Sequence, residues 1–205
     1  MKPTIRQVGI YGGSFNPIHL GHVALADYIC SWAGLDELWF MVSPQNPLKP
    51  QSDLWDDQLR LHLAQIATKA YPHFHVSDFE FHLPRPSYTV VTLEALRKAW
   101  PDCRFTLVIG ADNWQRFPQW REPEEILSHH RVLVYPRPHC HVAAESLPQG
   151  VTMVDAPLFN ISSTQIRQAL DEDTDPSHGA KALSAMLNPD VYAEILKVAK
   201  HPRSE

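Results

Sequence analysis

The segment VGIYGGSFNPIHLGHVALADYI, Val8–Ile29, decides the fold because it joins a strand, a glycine turn and a helix in that order. Val8–Tyr11 is largely apolar and predicts a buried strand. Gly12 and Gly13 then allow a tight turn. From His19 to Ala33 apolar residues recur at helical spacing. This order is typical of the first unit of an α/β fold.

The remainder of the chain continues to alternate strands with helices. Strands are predicted at 8–11, 37–43, 73–79, 104–110, 131–135 and 151–155, and helices at 19–33, 54–70, 87–98 (with Ser87 as the cap), 122–128, from Ser162 or Ser163 onward, and at 189–200. Nearly apolar strands between helices predict a doubly wound, Rossmann-like, mostly parallel sheet with helices on both faces. Ligands in such folds bind at the carboxyl ends of the strands. We expect a single domain over residues 1–205, with a small C-terminal helical piece at about 162–205.

Composition excludes several classes of protein. The chain has 205 residues, a hydrophobic fraction of 44% and a charged fraction of 20%, which are ordinary values for a globular protein with a core. It has no apolar run of about 18 residues and no signal-peptide pattern at its N-terminus. The three cysteines lie far apart and form no disulfide framework, so we expect a cytoplasmic location. The net charge of −5 argues against an RNA-binding module.

The histidine pair at His19 and His22 has three interpretations: metal ligands, a phosphate site or two ordinary surface residues. The i, i+3 spacing places both on one helix face. A zinc site would need further ligands, and no H-E-x-x-H is present. The HCH sequence at His139–His141 lies in a proline-flanked loop, where a solvated loop is the alternative to a metal site. We therefore expect no set of metal-ligating residues.

Phosphate binding explains the whole segment better than the histidines alone would. Gly12 and Gly13 let the backbone approach a ligand closely, and the following helix directs its free N–H groups at the turn. Beside a polyphosphate, each imidazole can donate a hydrogen bond, and the negative charge favours its cationic form. The pattern is neither a P-loop nor a dinucleotide fingerprint.

These residues carry a resemblance to a known family. GGSFNPIHLGH resembles the G-x-F-D-P-x-H-x-G-H signature of the nucleotidyltransferase superfamily, and NISSTQIR (Asn160–Arg167) resembles its second signature, I-S-S-T-x-I-R. Three further segments are similar to bacterial nicotinate-nucleotide adenylyltransferases: Pro86–Arg97, Ile109–Leu127 and Val132–Pro138. The matches extend over most of the chain.

The resemblance implies a reaction and its small-molecule partners. ATP and nicotinate mononucleotide would give deamido-NAD and pyrophosphate, a step of NAD biosynthesis. Mg²⁺ would be carried by the ATP phosphates as cofactor, with no nucleic acid or membrane as partner; the oligomeric state stays open. The attacking phosphate oxygen is already ionised at neutral pH, so no general base is needed. Alignment and charge stabilisation are needed instead.

The same resemblance implies roles for individual residues. His19, His22 and Arg167 would be catalytic. ATP would be bound by Gly12, Gly13, Ser14, Phe15, Gly21, Gly110, Asp112, Ile161, Ser162 and Ser163. Nicotinate mononucleotide would be bound by Lys49, Tyr88, Thr89, Trp120, Arg121 and Arg137.

Each of these roles competes with an ordinary structural one. Ser162 and Ser163 also suit a plain helix N-cap. A solvent-exposed lysine, a turn aspartate and a solvated loop arginine remain the alternatives for Lys49, Asp112 and Arg137.

Two residues depart from the family pattern, and two rival functions stay open. Asn16 stands where the signature has Asp, and Val91 stands where the family is often acidic. One rival is an adenylyltransferase for nicotinamide mononucleotide or phosphopantetheine, the latter disfavoured by Trp120 and the SYT segment. The other is a non-catalytic nucleotide sensor, disfavoured by the intact histidine pair. Pyrophosphate release distinguishes an enzyme from a sensor.

Overall fold

The fold is built on one six-stranded sheet, seen in a computed structural model that describes residues 5–45, 54–171 and 182–200. The strands are β1 (Arg6–Gly13), β2 (Glu37–Val42), β3 (Phe74–Ser77), β4 (Cys103–Gly110), β5 (Arg131–Tyr135) and β6 (Val151–Met153). Their order is β3-β2-β1-β4-β5-β6, and every pair is parallel. This confirms the doubly wound α/β prediction.

Helices follow the strands nearly as predicted. They are α1 (Leu20–Ala33), α2 (Asp57–Thr68), α3 (Thr89–Ala99), α4 (Ala111–Arg116), α5 (Pro123–His129), α6 (Ser163–Asp171) and α7 (Pro189–Lys200). Short 3₁₀ helices lie at Phe79–His82, Phe117–Gln119 and Ala144–Ser146. Two expectations were wrong: α4 was not predicted, and the N-cap of α3 is Tyr88 rather than Ser87.

Apolar side chains fill both faces of the sheet. In β2, Phe40 faces one buried cluster with α1, α2 and α6, whereas Trp39 and Met41 face the other with α3 and α5. Successive strand residues point to opposite faces, so a strand buried on both sides must be apolar throughout. The helices therefore cover both faces, as the sequence predicts.

The sheet reverses its winding between β1 and β4. β1 pairs with β2 on one side and with β4 on the other, and its last residues, Gly12 and Gly13, lie opposite Met41 and Val42. A crevice opens at such a reversal because the chains leaving the neighbouring strands diverge to opposite faces. The site is therefore expected at the carboxyl ends of these strands.

The C-terminal helices pack on the face that α1 and α2 cover. Ile166, Val191 and Ile195 are buried there, and the Leu20 N–H donates to the Met186 carbonyl at 2.9 Å. This confirms the helical C-terminal piece, while the division of the chain into one domain stays a prediction. Within the described ranges, no helix is long and apolar enough to span a membrane.

Candidate active site

A cavity at the strand ends has a volume of about 410 Å³. We call it the central cavity. It brings together residues from both signatures and from the ends of β1, β4 and β5: Tyr11, Gly12, Gly13, Ser14, Phe15, Asn16, His19, His22, Leu54, Asp112, Asn113, Arg116, Tyr135, Arg137, Ser162, Ser163, Thr164 and Arg167. The sheet topology thus joins motifs that lie about 150 residues apart in the sequence.

The two histidines cap α1 reciprocally. His19 is the N-cap, and its Nδ1 accepts a hydrogen bond from the His22 N–H at 3.3 Å. His22 is the third helical residue, and its Nδ1 accepts from the His19 N–H, also at 3.3 Å. This is a capping box in which imidazoles replace the usual Ser and Glu. Because Nδ1 is an acceptor, each neutral ring carries its proton on Nε2.

Burial keeps His19 uncharged in the absence of substrate. Only 4% of its surface is exposed, and burial, assisted by the positive charge of Arg137, lowers its pKa from 6.5 to about 3. The structure therefore has a neutral His19, contrary to the cationic form expected from the sequence, because a proton on Nδ1 would also break the capping bond. Among the described residues, arginines line the central cavity as its cations: Arg116, Arg137 and Arg167.

The turn after β1 is shaped by its own side chains. Phe15 has a φ of 44°, an uncommon conformation for a non-glycine residue. A Cβ on Gly13 would lie 3.0 Å from the Phe15 ring, so any larger residue there would push that ring from its position. Asn16 accepts from the Trp55 N–H through Oδ1 at 3.0 Å. An aspartate could accept that bond equally well, so the departure at Asn16 preserves the turn.

The start of α6 closes the other side of the central cavity. Ser162 Oγ accepts from the Gln165 N–H at 3.2 Å, and Gln165 Oε1 accepts from the Ser162 N–H at 2.9 Å, which is a second capping box. Ser163 Oγ donates to the Pro17 carbonyl at 2.9 Å. Arg167 donates from Nη1 to the Asn16 carbonyl at 2.8 Å. The second signature is therefore tied directly to the first.

Asp112 and Arg137 form a pair at the ends of β4 and β5. The Arg137 Nε lies 3.6 Å from Asp112 Oδ1, and its guanidinium lies over the Tyr135 ring at 5.1 Å. A Cβ on Gly110 would lie 2.4 Å from Asp112 Oδ1 and 3.1 Å from Arg137, so Gly110 makes room for the pair. Asp112 and Arg137 line the central cavity, and Arg137 does not border the cavity that holds Trp120.

A second cavity, of about 150 Å³, lies beside the central one. We call it the tryptophan cavity. It contains Tyr88, Thr89, Trp120 and Arg121, with the Arg121 guanidinium 5.2 Å from the Tyr88 ring centroid. It shares Gly12, Gly13 and Asn113 with the central cavity, so the two cavities adjoin at the end of β1.

A narrow cleft adjoins the central cavity and shares Tyr11 and Tyr135, among other residues, with it. It is lined by both histidines, Gly21, Arg137 and Ile161, together with apolar residues of the 157–159 segment. A Cβ on Gly21 would lie 3.1 Å from His19 Nδ1 and 3.2 Å from Phe159 Cβ. Gly21 therefore leaves space for the His19 ring.

Several buried polar atoms at these cavities have no hydrogen-bond partner. Among the described residues there are four such side-chain atoms: Glu80 Oε2, Ser87 Oγ, Trp120 Nε1 and Arg137 Nε. All four residues line one of the three cavities. Arg137 Nε has the Asp112 carboxylate at 3.6 Å, beyond hydrogen-bond distance. Buried polar atoms without a hydrogen bond are costly, and their concentration here is typical of a site completed by a polar ligand.

One proposed residue is not placed, and a metal cage is not seen. Lys49 lies outside the described residues. In residues 5–45, 54–171 and 182–200, no group of three or more His, Cys, Asp or Glu side chains is arranged to hold a metal ion, and this includes the His139–His141 loop. Val91 is partly buried against the α3 side of the core and offers no carboxylate.

Sequence reasoning missed several residues of the site. Asn113 borders both cavities and could have been found because it directly follows the conspicuous GAD segment. Arg60 is 1% exposed and supports the turn after β1. Its signal was also present: it falls on the apolar stripe of α2, in register with Leu63, Ala64 and Ala67.

Comparisons with known proteins agree with this geometry. The cytidylyltransferase-like family profile matches residues 10–169. A probable nicotinate-nucleotide adenylyltransferase of Bacteroides fragilis is 52% identical over 191 residues, which cover 93% of this chain and 92% of that protein. One from Bacteroides thetaiotaomicron is 57% identical over 169 residues, covering 82% and 84%.

A solved structure has the same fold. It is the nicotinic acid mononucleotide adenylyltransferase of Plasmodium falciparum complexed with NaAD, with a TM-score of 0.78 and 20% identity, covering 94% of this chain and 95% of that one. The fold and the paired signatures define a nucleotidyltransferase. The chain belongs to the cytidylyltransferase-like family and, within it, to the group of the nicotinate-nucleotide adenylyltransferases.

Proposed function

We propose that the protein transfers AMP from ATP to nicotinate mononucleotide, giving deamido-NAD and pyrophosphate. The observation that supports this most directly is the wall of Gly12, Gly13 and Asn113 that the central and tryptophan cavities share. The central cavity is polar and cationic, and the tryptophan cavity is aromatic. They meet at this wall, and a reaction that joins two nucleotides through their phosphates requires two binding sites that meet in this way. The names of the two Bacteroides relatives support the same reaction.

The chemistry is an in-line displacement at phosphorus. A phosphate oxygen of nicotinate mononucleotide forms a bond to the α-phosphorus of ATP, and the bond from that phosphorus to the bridging oxygen breaks, releasing pyrophosphate. No proton must be removed from the nucleophile, since a phosphate monoester is largely ionised at pH 7. The protein has to align the two phosphates and stabilise the charge that develops between them.

His19 and His22 stabilise that charge as fixed donors. Their Nδ1 atoms are held by the capping box, so their Nε2–H groups are available to the triphosphate. The N-terminal end of α1 adds the positive end of its helix dipole. Protonation of Nδ1 would break the capping bond, so each ring acts as a donor through Nε2–H without reorganising as charge develops on the phosphates.

The start of α6 holds the far end of the triphosphate. Ser162, Ser163 and Arg167 line the central cavity at the second helix N-terminus. Arg167 uses Nη1 for the Asn16 carbonyl and Nη2 for Thr164 Oγ1 at 3.5 Å, so its remaining N–H groups serve the β- and γ-phosphates. Ile161 and Gly21 line the narrow cleft, which takes the adenine end of ATP.

The tryptophan cavity binds the nicotinate mononucleotide. The Trp120 ring stacks on the pyridine, and the backbone N–H groups beside it donate to the carboxylate. Thr89, Tyr88 and Arg121 complete this cavity. Arg137, held over Tyr135, lines the central cavity and not the tryptophan cavity, so in this proposal it reaches only the phosphate of the mononucleotide. Lys49 belongs to the same proposed set.

The site fits Mg²⁺ only as an ion that is bound by the phosphates of ATP and enters with them. The central cavity presents Asp112 as its one carboxylate among the described residues, and that group already lies beside Arg137. Mg²⁺ in nucleotide sites is commonly held by phosphates and waters with one or two carboxylates. When bound, the ion neutralises charge on the leaving pyrophosphate.

The direct test is pyrophosphate release from Mg²⁺-ATP with nicotinate mononucleotide, run beside nicotinamide mononucleotide. We expect release with the acid, and much slower release with the amide. Equal rates would remove the carboxylate-reading role of the Trp120 region. Binding of ATP without release on either acceptor would indicate a sensor instead.

A further inference from the structure

Arg60 holds four backbone carbonyls at once. Its Nη1 donates to the carbonyls of Ser14 at 2.6 Å and Ser43 at 2.8 Å. Nη2 donates to Pro44 at 3.4 Å, and Nε donates to Trp55 at 2.9 Å. These carbonyls belong to three separate segments: the turn after β1, the chain leaving β2 and the chain entering α2.

This arrangement needs an arginine. The side chain is buried, with 1% of its surface exposed, and no carboxylate of the described residues forms an ion pair with it. A buried cation without such a partner is costly unless its donors are satisfied. The planar fork of a guanidinium reaches acceptors in several fixed directions, whereas a lysine ammonium offers three donors from one point. If position 60 only had to fill space in the core, a leucine would be sufficient.

The bond to Ser14 fixes the direction of a neighbouring N–H. The peptide joining Ser14 to Phe15 is trans, so its carbonyl and its N–H point in opposite directions. With the carbonyl turned toward Arg60 in the interior, the Phe15 N–H points away from it. No described residue accepts a hydrogen bond from that N–H, and both Ser14 and Phe15 line the central cavity.

The same turn is held from its other side by the second signature. Arg167 donates to the Asn16 carbonyl at 2.8 Å, and Ser163 to the Pro17 carbonyl at 2.9 Å. Asn16 in turn binds the Trp55 N–H, and Trp55 is a partner of Arg60. The turn therefore has two anchors, of which Arg60 is the one on the interior side.

We propose that Arg60 is a positioning residue that aims the Phe15 backbone N–H at the triphosphate by fixing the Ser14 carbonyl. The inference rests on the proposed function. Arg60 itself contacts neither substrate. A donor held in place before the reaction stabilises developing charge without reorganisation, so misaiming it lowers kcat more than it changes substrate affinity.

The test compares Arg60→Lys with Thr68→Val. Thr68 lies in the same helix and donates a buried hydrogen bond to the Ala64 carbonyl at 2.9 Å, away from the cavities, so its variant is a matched control for weakening α2. We expect Arg60→Lys to lower kcat by roughly 10- to 100-fold, with the KM for ATP changed by less than about threefold. Thr68→Val should keep the wild-type kcat. A folded Arg60→Lys protein with wild-type kcat would overturn the inference, and so would an equal loss of kcat in Thr68→Val.

A second measurement uses the wild-type protein and inorganic pyrophosphate as the probe. The Phe15 amide resonance should move on saturation with pyrophosphate, and in Arg60→Lys it should move less. A wild-type Phe15 resonance that stays fixed while neighbouring signals shift would refute the assignment, even where the variant does not fold. Absence of pyrophosphate release by the wild type would instead reject the proposed function, which separates the two failures.

Discussion

His19 and His22 stack ring on ring, with centroids 3.6 Å apart and 23° between the planes. Each ring also accepts the backbone N–H of the other residue, so neither can rotate without losing a helix-capping bond. Two cations at this separation would repel one another. Because each Nδ1 accepts a backbone N–H, the pair is a rigid set of donors through Nε2, and the negative charge that it stabilises arrives with the substrate.

Replacing His22 tests the donor role. We expect His22→Ala to lower kcat by about 10²- to 10³-fold, as for the loss of one preorganised donor. His22→Gln is the informative companion, because glutamine at this position can restore the capping bond without the imidazole. Circular dichroism and thermal melting should show both variants folded. If His22→Gln recovers wild-type turnover, the histidine serves the helix rather than the reaction.

The buried His19 should make stability depend on pH. The unfolded chain takes up a proton at its ordinary pKa of 6.5, whereas the folded protein does so only near 3. The free energy of unfolding should therefore fall as the pH falls through this window. His19→Asn keeps an N-cap acceptor, and its slope should be smaller by at most about 1.4 kcal/mol per pH unit. Urea denaturation of both proteins between about pH 4 and pH 7 measures this; identical slopes would contradict a neutral buried imidazole.

The two glycines after β1 should respond differently to alanine. A Cβ on Gly12 meets no protein atom within 4 Å, whereas a Cβ on Gly13 meets the Phe15 ring at 3.0 Å. Gly12→Ala should leave the melting temperature near that of the wild type and raise the substrate KM values by about tenfold, since the methyl group enters the shared wall. Gly13→Ala should destabilise the fold by about 1–3 kcal/mol. Unchanged KM values in the Gly12→Ala enzyme would show that neither substrate lies against this wall.

Trp120 should act on one substrate only. Trp120→Ala should raise the KM for nicotinate mononucleotide by roughly tenfold while the KM for ATP stays near its wild-type value, and Trp120→Phe should recover part of the loss through its own ring. Trp114→Phe is a suitable control, because Trp114 stacks on Phe117 but lines neither cavity. Steady-state kinetics with each substrate varied in turn makes the comparison. Parallel changes in both KM values would argue against stacking on the pyridine.

Most of the fold was predictable because burial on both faces leaves a strong pattern. β5 was predicted with the bounds it has, Arg131–Tyr135, since a five-residue run that is mostly apolar and rich in valine is short for a helix and suits a buried strand. α4 was missed because it has only six residues and begins after Gly110, which offers no side-chain cap. Such a helix is set by the end of β4 and not by its own sequence.

The site was predictable where it lies in contiguous motifs and not where it depends on packing. The histidine spacing and the ISST segment could be read directly. The role of Arg60 depends on carbonyls from three distant segments, and no local pattern reveals which carbonyls turn inward. The lowered pKa of His19 likewise follows from burial and from the positive charge of Arg137, more than 100 positions away.

The wall of Gly12, Gly13 and Asn113 between the central and tryptophan cavities has a consequence for inhibitor design. A single bisubstrate molecule, with a flat aromatic acid at one end and a phosphate mimic at the other, could cross this wall and fill both chambers. Its second half would bind at a high effective concentration, without a second loss of translational freedom. Its affinity should therefore far exceed that of either half alone.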